Sequence, residues 1–251
     1  MMRLQPSGYK RIMQADSLDL VFGGGEANVA VSLAQFGEDV SFFTKLPKNV
    51  LADKCIRELR GWGVDTTKIV RGGDRMGIYF CEKGCSQRGS NVIYDRANSA
   101  VSQMKASDFN VDELLKDVTW LHWTGITPAL SDDAVNFMRV ILRAAKLKGI
   151  TVSCDLNYRK KLWTTVKANL VMSELVHFVD VLISNEEDCK DVFGIEAEGT
   201  DITKGVISDD AYISIGKQLM EKFPHLQKVA FTLRESISAS ENGWSGILVN
   251  R

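Results

Sequence analysis

Hydrophobic residues recur at helical spacing over residues 25–36. Ala27, Ala30, Val31 and Ala34 share one face there, and Gly37 follows in the place of a helix-ending glycine. Val40-Ser41-Phe42-Phe43-Thr44 reads as a strand, and a helix is predicted from about Val50 to Leu59, closed by Gly61 and Gly63. Ser131, with Asp132 and Asp133 behind it, has the composition of a helix N-cap. The helix it opens carries Val135, Met138, Ile141, Leu142 and Ala145 and ends at Lys146, Lys148 and Gly149. A strand at Ile150–Leu156, a helix near 164–177, a strand at Val179–Ser184 and helices near 186–193 and 209–222 follow, then a strand at Lys228–Leu233. Two of these strands, Val179-Asp180-Val181-Leu182-Ile183 and Lys228-Val229-Ala230-Phe231-Thr232, are short and rich in apolar residues, the pattern of strands buried on both faces. Strands alternating with helices make βαβ units and a mostly parallel sheet, so the fold class is α/β.

Two stretches break the rhythm. Residues 1–22 and 76–97 hold strand-like runs with no helix between them: Met76–Glu82, then Asn91–Tyr94 beyond the turn-prone Lys83–Ser90. The chain therefore divides into an α/β core, residues 23–75 and 98–251, and a small antiparallel sheet from 1–22 and 76–97. That sheet is a lid over a substrate, a solvent-exposed hairpin or a dimer interface. A lid suits a reaction that must exclude water.

Composition narrows the partners more than the fold. The 251 residues are 45% hydrophobic and 25% charged, ordinary for a globular protein with a sizeable core. A net charge of −1 lacks the basic excess of a nucleic-acid binder. Five scattered cysteines make no disulfide framework, which points to a reducing, cytoplasmic setting. No apolar run approaches the roughly 20 residues of a membrane span, and the first residues do not read as a signal peptide.

Candidate chemistry gathers in four segments. In Phe22-Gly23-Gly24-Gly25-Glu26-Ala27-Asn28-Val29-Ala30, three glycines open a helix whose first turn carries Asn28. Free N–H groups and an amide side chain suit hydroxyls, although the same pattern can serve as a tight turn. It is not a dinucleotide fingerprint, for the third glycine is missing, and no Walker A sequence occurs. Tyr94 and Arg96 alternate on one side of an extended segment, as do Asn157 and Arg159 after a strand. Two arginines suit a carboxylate or phosphate, or each makes an ordinary surface salt bridge. Asn185-Glu186-Glu187-Asp188 also follows a strand; it could hold Mg²⁺ directly or through water, or complement a helix dipole. His122, His177 and His225 form no metal-ligand set, and Cys81 with Cys85 lacks a second pair.

Taken in order, Gly-Gly-x-x-x-Asn-Val-Ala, a hairpin, Asp-x-Asn-x-Arg and Asn-x-x-acid resemble the ribokinase-like (PfkB) carbohydrate kinase family over nearly the whole chain. Within it, Gly77-Ile78-Tyr79-Phe80, Tyr94-Asp95-Arg96, Gly125-Ile126-Thr127-Pro128-Ala129-Leu130, and Asp155-Leu156-Asn157-Tyr158-Arg159 with Leu162-Trp163 are most similar to the 2-keto-3-deoxygluconate kinases. The resemblance implies a three-layer α/β/α sandwich with a small β-sheet lid. It implies transfer of the ATP γ-phosphoryl group, with Mg²⁺, to 2-keto-3-deoxygluconate; the alternatives are a neutral sugar such as fructose or ribose, or sugar-acid binding without catalysis. It assigns Gly24, Asn28, Tyr79, Tyr94, Arg96, Asn157 and Arg159 to the substrate, with Arg96 and Arg159 at the carboxylate and Arg159 also stabilising charge. It assigns Asn185, Asp188, Thr232 and Arg234 to nucleotide, Mg²⁺ and phosphate, with no direct protein ligand to the metal. Asp188 stands where the family has Glu, which shortens its reach, and the glycines many relatives carry near Thr232 and Arg234 are missing. The family's Gly-Ala-Gly-Asp loop, whose aspartate is the catalytic base, is expected beyond Arg251, and Met1 falls within the first lid strand. A homo-oligomer through Ile78, Phe80, Val92 and Ile93 of the lid is the expected assembly.

Overall fold

The computed structural model describes residues 1–196 and 209–251. The chain forms two compact units, Met1–Asn110 with Ser236–Asn242, and Val111–Glu235 with Gly243–Arg251.

In the first unit, strands β1 (Met2–Gln5) and β2 (Asp19–Phe22) are followed by helix α1 (Gly25–Gln35), the two-residue strand β3 (Lys45–Leu46), helix α2 (Val50–Gly61), strand β4 (Val70–Arg71) and the hairpin β5 (Ile78–Glu82) and β6 (Asn91–Asp95). Four strands make one sheet in the order β2-β1-β5-β6. The β5–β6 hairpin is antiparallel, but β1 runs parallel to β5, so the sheet is mixed rather than antiparallel throughout. The reason is connectivity. The short connection 83–90 allows only antiparallel pairing of β5 and β6, whereas β1 and β5 are separated by both helices and are free to run the same way. Residues 40–44 correct the expected strand: Ser41 makes one bridge, to Asp65, and the pairing continues in β3 and β4. The core beneath is Met2, Ala30, Leu46, Ala52, Cys55, Leu59, Val64, Ile69 and Met76. Ser236–Asn242 joins this unit, where the Ala239 N–H donates to the Ser86 carbonyl at 3.0 Å.

The second unit opens with α3 (Val111–Leu114) and continues through β7 (Trp120–Thr124), α4 (Ile126–Ala129), α5 (Asp132–Leu147), β8 (Thr151–Asp155) and α6 (Thr165–Leu175). Strand β9 (Val181–Ser184), helices α7 (Glu186–Phe193) and α8 (Asp209–Lys222), and strands β10 (Lys228–Ser236) and β11 (Asn242–Asn250) complete it. Helix α5 begins where its sequence says it should: the Ser131 hydroxyl accepts the Ala134 N–H at 3.1 Å, and Val135, Met138, Ile141, Leu142 and Ala145 are all buried. The sheet order is β11-β10-β9-β8-β7, and β7 to β10 are parallel neighbours in chain order. Right-handed crossovers between strands in that order carry their helices to one face. Helices α5 to α8 indeed pack each against the next. Consecutive residues Val152, Ser153 and Cys154 of β8 are buried, as in a strand covered on both faces. No helix of the described residues is long and apolar enough to cross a membrane.

Candidate active site

The first unit holds Gly24, Asn28, Tyr79, Tyr94 and Arg96, and the second holds Asn157, Arg159, Asn185, Asp188, Thr232 and Arg234.

Strand β2 ends at Phe22, and the Gly23 N–H prolongs its pairing by donating to the Met1 carbonyl at 3.0 Å. Gly24 then adopts φ 157°, ψ 151°, a conformation that a residue with a Cβ takes only under strain. Its carbonyl accepts the Asn28 N–H at 2.8 Å and so starts α1. A Cβ built on Gly23 would sit 3.4 Å from Tyr79 Oη and 3.6 Å from Asn28 Oδ1. The tyrosine hydroxyl and the amide oxygen therefore converge over one bare backbone position. Across the sheet Arg3, Tyr79 and Tyr94 are direct partners on β1, β5 and β6, which puts all three on one face. The two tyrosine rings lie 6.0 Å apart, and the Arg96 guanidinium stacks over Tyr94 at 4.3 Å, a cation–π pair. Gly77 admits Arg96: a Cβ there would come within 3.2 Å of Arg96 Cβ. Just before Arg96, Asp95 is gripped in bidentate fashion by Arg75 at 2.8 and 2.6 Å. Burial pushes the Tyr79 hydroxyl above the usual tyrosine range, and the positive charge of Arg3 works against that rise.

In the second unit two segments of interest leave the carboxyl ends of the adjacent parallel strands β8 and β9, where open α/β sheets bind ligands. Thr232 and Arg234 lie within β10, just past its parallel pairing with β9. Beyond β8, Asp155 Oδ1 accepts the Asn157 N–H at 3.1 Å, and Asn157 takes a left-handed φ of 41°. The next N–H, of Tyr158, donates to Asp188 Oδ2 at 3.0 Å. Arg159 is exposed, and its Nη1 donates to the Tyr158 carbonyl at 3.2 Å. Gly125 wedges beneath this turn: its N–H donates to the Asp155 carbonyl at 2.9 Å, and a Cβ there would lie 2.1 Å from the Leu156 oxygen.

Beyond β9, Asn185 caps α7 by accepting the Asp188 N–H at 2.7 Å. Asp188 is buried, and burial raises its carboxyl above the ordinary range, opposed by the Tyr158 N–H and the charge of Arg159. Tyr212 donates to Glu186 at 3.1 Å, leaving Glu187 as the exposed carboxylate of that turn. Thr232 Oγ1 reaches the Ser184 carbonyl at 3.5 Å, and Arg234 lies 5.5 Å from the Trp244 ring. Among the described residues no three acidic, histidine or cysteine side chains converge as a metal cage.

The structure thus joins Asn157–Arg159 to Asn185–Asp188 through one buried carboxylate, with Thr232 alongside. It brings Asn28 and Tyr79 together over Gly23, with Tyr94 beside Tyr79 and Arg96 stacked on Tyr94. Sequence reasoning does not reach Arg3 or the wedge role of Gly125. Alternation within Met2-Arg3-Leu4-Gln5 was a signal for the first, but only the pairing of β1 with β5 gives it meaning.

The pattern of the pfkB family carbohydrate kinases matches residues 1–233. A crystal structure of 2-dehydro-3-deoxygluconokinase from Thermotoga maritima superposes on 100% of this chain and 74% of its own with a TM-score of 0.95 and 47% identity. A 2-dehydro-3-deoxygalactonokinase of Haloferax volcanii is 36% identical over 211 residues, 83% of this chain and 65% of its own. A 2-dehydro-3-deoxygluconokinase of Bacillus subtilis is 30% identical over 156 residues, 62% of this chain and 48% of its own. The chain spans less than two thirds of the length of these two curated relatives.

Proposed function

This chain belongs to the pfkB family of carbohydrate kinases, and from that premise we propose that the protein carrying it transfers the γ-phosphoryl group of ATP to the terminal hydroxyl of 2-keto-3-deoxygluconate, giving the 6-phosphate. The observation that carries the choice of a sugar acid is the Arg96 guanidinium stacked on Tyr94, beside the Tyr79 hydroxyl that converges with Asn28 over Gly23. Hydroxyl-binding groups and a fixed cation on one face are what a polyhydroxy acid requires. The names of the Thermotoga, Haloferax and Bacillus relatives support the same substrate class.

Catalysis in this reading is positioning and charge stabilisation rather than covalent chemistry. Gly24, Asn28, Tyr79, Tyr94 and Arg96 hold the sugar acid. Asn157 shapes the turn that presents Arg159, which neutralises charge on the acid and the transferring group. Asn185, Asp188, Thr232 and Arg234 line the strand ends on the nucleotide side. Mg²⁺ would arrive with ATP and neutralise its phosphates. Asp188 is buried and already engaged with the Tyr158 N–H, so its contact with a hydrated ion would run through water. No Gly-Ala-Gly-Asp loop occurs among the 251 residues, and the proton acceptor is expected from that family element. The mixed sheet of the first unit acts as the lid, and the half-exposed Ile93 on its edge strand β6 supports a homo-oligomer through that sheet.

The test is ATP-dependent phosphorylation by the full-length protein across 2-keto-3-deoxygluconate, 2-keto-3-deoxygalactonate, gluconate, fructose and ribose. Preference for a 2-keto-3-deoxy acid bears the reading out. Preference for a neutral sugar overturns the roles of Arg96 and Arg159. Binding of the acid with no turnover of any sugar overturns the kinase.

A further inference from the structure

We infer that Arg3 is a specificity-determining residue of the acid-binding face, its guanidinium supplying the charge that selects a carboxylate-bearing sugar over a neutral one. The inference rests on the sugar-acid reading above and adds to it a residue that lies outside every motif in the sequence.

Three observations carry it. Arg3 is the direct partner of Tyr79 across β1 and β5, and Tyr79 is the direct partner of Tyr94 across β5 and β6. The row runs Arg3, Tyr79, Tyr94, with Arg96 stacked on the last ring. Arg3 also lies close enough to the Tyr79 hydroxyl to act on its ionisation, and that hydroxyl is one of the two polar groups converging over Gly23.

The third observation is the missing counter-charge. Three other arginines meet carboxylates: Arg71 meets Asp53 at 2.8 Å, Arg75 meets Asp95 at 2.6 Å, and Arg139 meets Glu174 at 2.7 Å. Among the described residues no carboxylate lies within ion-pair distance of Arg3, and its Nε–H is sealed from water without an acceptor. The Tyr79 hydroxyl is the polar group of the unit that interacts with this half-buried cation, and a neutral hydroxyl offsets only part of its desolvation cost. An anionic ligand meeting the terminal nitrogens beside Tyr79 offsets it. A neutral sugar leaves the cost in place. The same residue therefore rewards the acid and gives its uncharged competitor nothing.

The experiment compares the full-length protein with Arg3→Gln and Arg3→Lys. It reads kcat and KM for 2-keto-3-deoxygluconate, kcat and KM or competitive inhibition for fructose, calorimetric binding of the acid without ATP, and thermal melting. Loss of one charge-assisted contact predicts a rise of roughly 10- to 100-fold in KM and Kd for the acid in Arg3→Gln, with kcat little changed. Constants for fructose should move less than about twofold, and Arg3→Lys should recover part of the acid preference. An unchanged acid KM, or equal losses for acid and fructose with no recovery in Arg3→Lys, overturns the inference. If Arg3→Gln does not fold, Arg3→Lys decides alone: the inference requires weaker acid binding with acid still favoured over fructose. Acid binding without turnover in the unmodified protein sinks the kinase reading and leaves the role of Arg3 readable by calorimetry. Absence of acid binding sinks both.

Discussion

The carboxylate of Asp188 accepts the backbone N–H of Tyr158 at 3.0 Å, tying the first turn of α7 to the segment that presents Arg159. A side chain of the capped turn after β9 thus also holds the turn after β8. The two half-sites of the second unit are one hydrogen-bonded assembly.

A pH effect follows from the burial of Asp188. Its carboxyl is raised, so the folded protein keeps the proton to higher pH than the unfolded chain does. The stability it contributes is fully present below the ordinary carboxylate range and is lost as pH rises through the raised folded value. Asp188→Asn, whose amide oxygen can still accept the Tyr158 N–H, should therefore gain stability relative to the unmodified protein at neutral pH. The gain should shrink in acid. Urea unfolding from pH 4 to 8 checks this, and an equal difference at every pH would contradict it.

Gly125→Ala should be among the most damaging single methyl additions in the second unit. The new Cβ would lie 2.1 Å from the Leu156 oxygen, a backbone atom that moves only with the Asp155–Arg159 turn. A loss of about 3 kcal/mol is expected by urea unfolding. The loss in kcat/KM should exceed what the unfolded fraction accounts for.

Gly24→Ala tests the other glycine-dependent turn. At φ 157° an alanine is strained by about 1–3 kcal/mol even though the nearest neighbour of its Cβ is 3.8 Å away. The cost is conformational rather than steric, so Gly24→Ala and Gly24→Ser should lower the melting temperature alike.

These two positions also show how far the sequence could be read. Helix α5 was legible because Ser131, the acidic first turn and the apolar stripe all agree, and α7 because Asn185 caps it. Strand β7 passed unnoticed, since Trp120-Leu121-His122-Trp123-Thr124 mixes polar and aromatic residues without a clean period. Strand β11 passed unnoticed because Gly243, Ser245 and Gly246 weaken its β signal. Val40–Thr44 reads as a strand on composition, yet it forms an isolated bridge at Ser41–Asp65 and a hydrogen bond from Val70 to Thr44 rather than a continuous ladder. Glycine motifs announced the Gly24 turn, but Gly125 and Arg3 matter through neighbours distant in the chain. Such pairings leave no local trace.

The cysteines should divide sharply under alkylation. Cys55, Cys154 and Cys189 are buried, and burial pushes the Cys189 thiol up to about 12. Cys85 is exposed and Cys81 half-buried. Treating the native protein with iodoacetamide at pH 8 should label Cys85 first, with Cys189 protected until the protein unfolds; peptide mass spectrometry reads the order. Early labelling at Cys189 would contradict its placement.

Arg96→Ala should raise KM for a sugar acid roughly 10- to 100-fold while barely affecting a neutral sugar. Tyr94→Leu removes the ring that Arg96 stacks on at 4.3 Å and should produce a smaller loss of the same kind. Steady-state kinetics with both sugars separates the two, and equal losses for acid and neutral sugar would remove Arg96 from the acid site.

The parallel pairing of β1 with β5 has a consequence for the order in which the protein is made. In the second unit, β8 and β9 each find their partner in the strand synthesised just before them. Strand β1 is made well before its parallel neighbour, which begins only at Ile78. At roughly 5–20 residues per second, the nascent β1–β2 hairpin waits several seconds with one edge open. A chaperone that shields unpaired strands therefore has its work at the β1–β2 hairpin, and a synonymous-codon change that slows translation between α1 and β5 would lengthen that exposure.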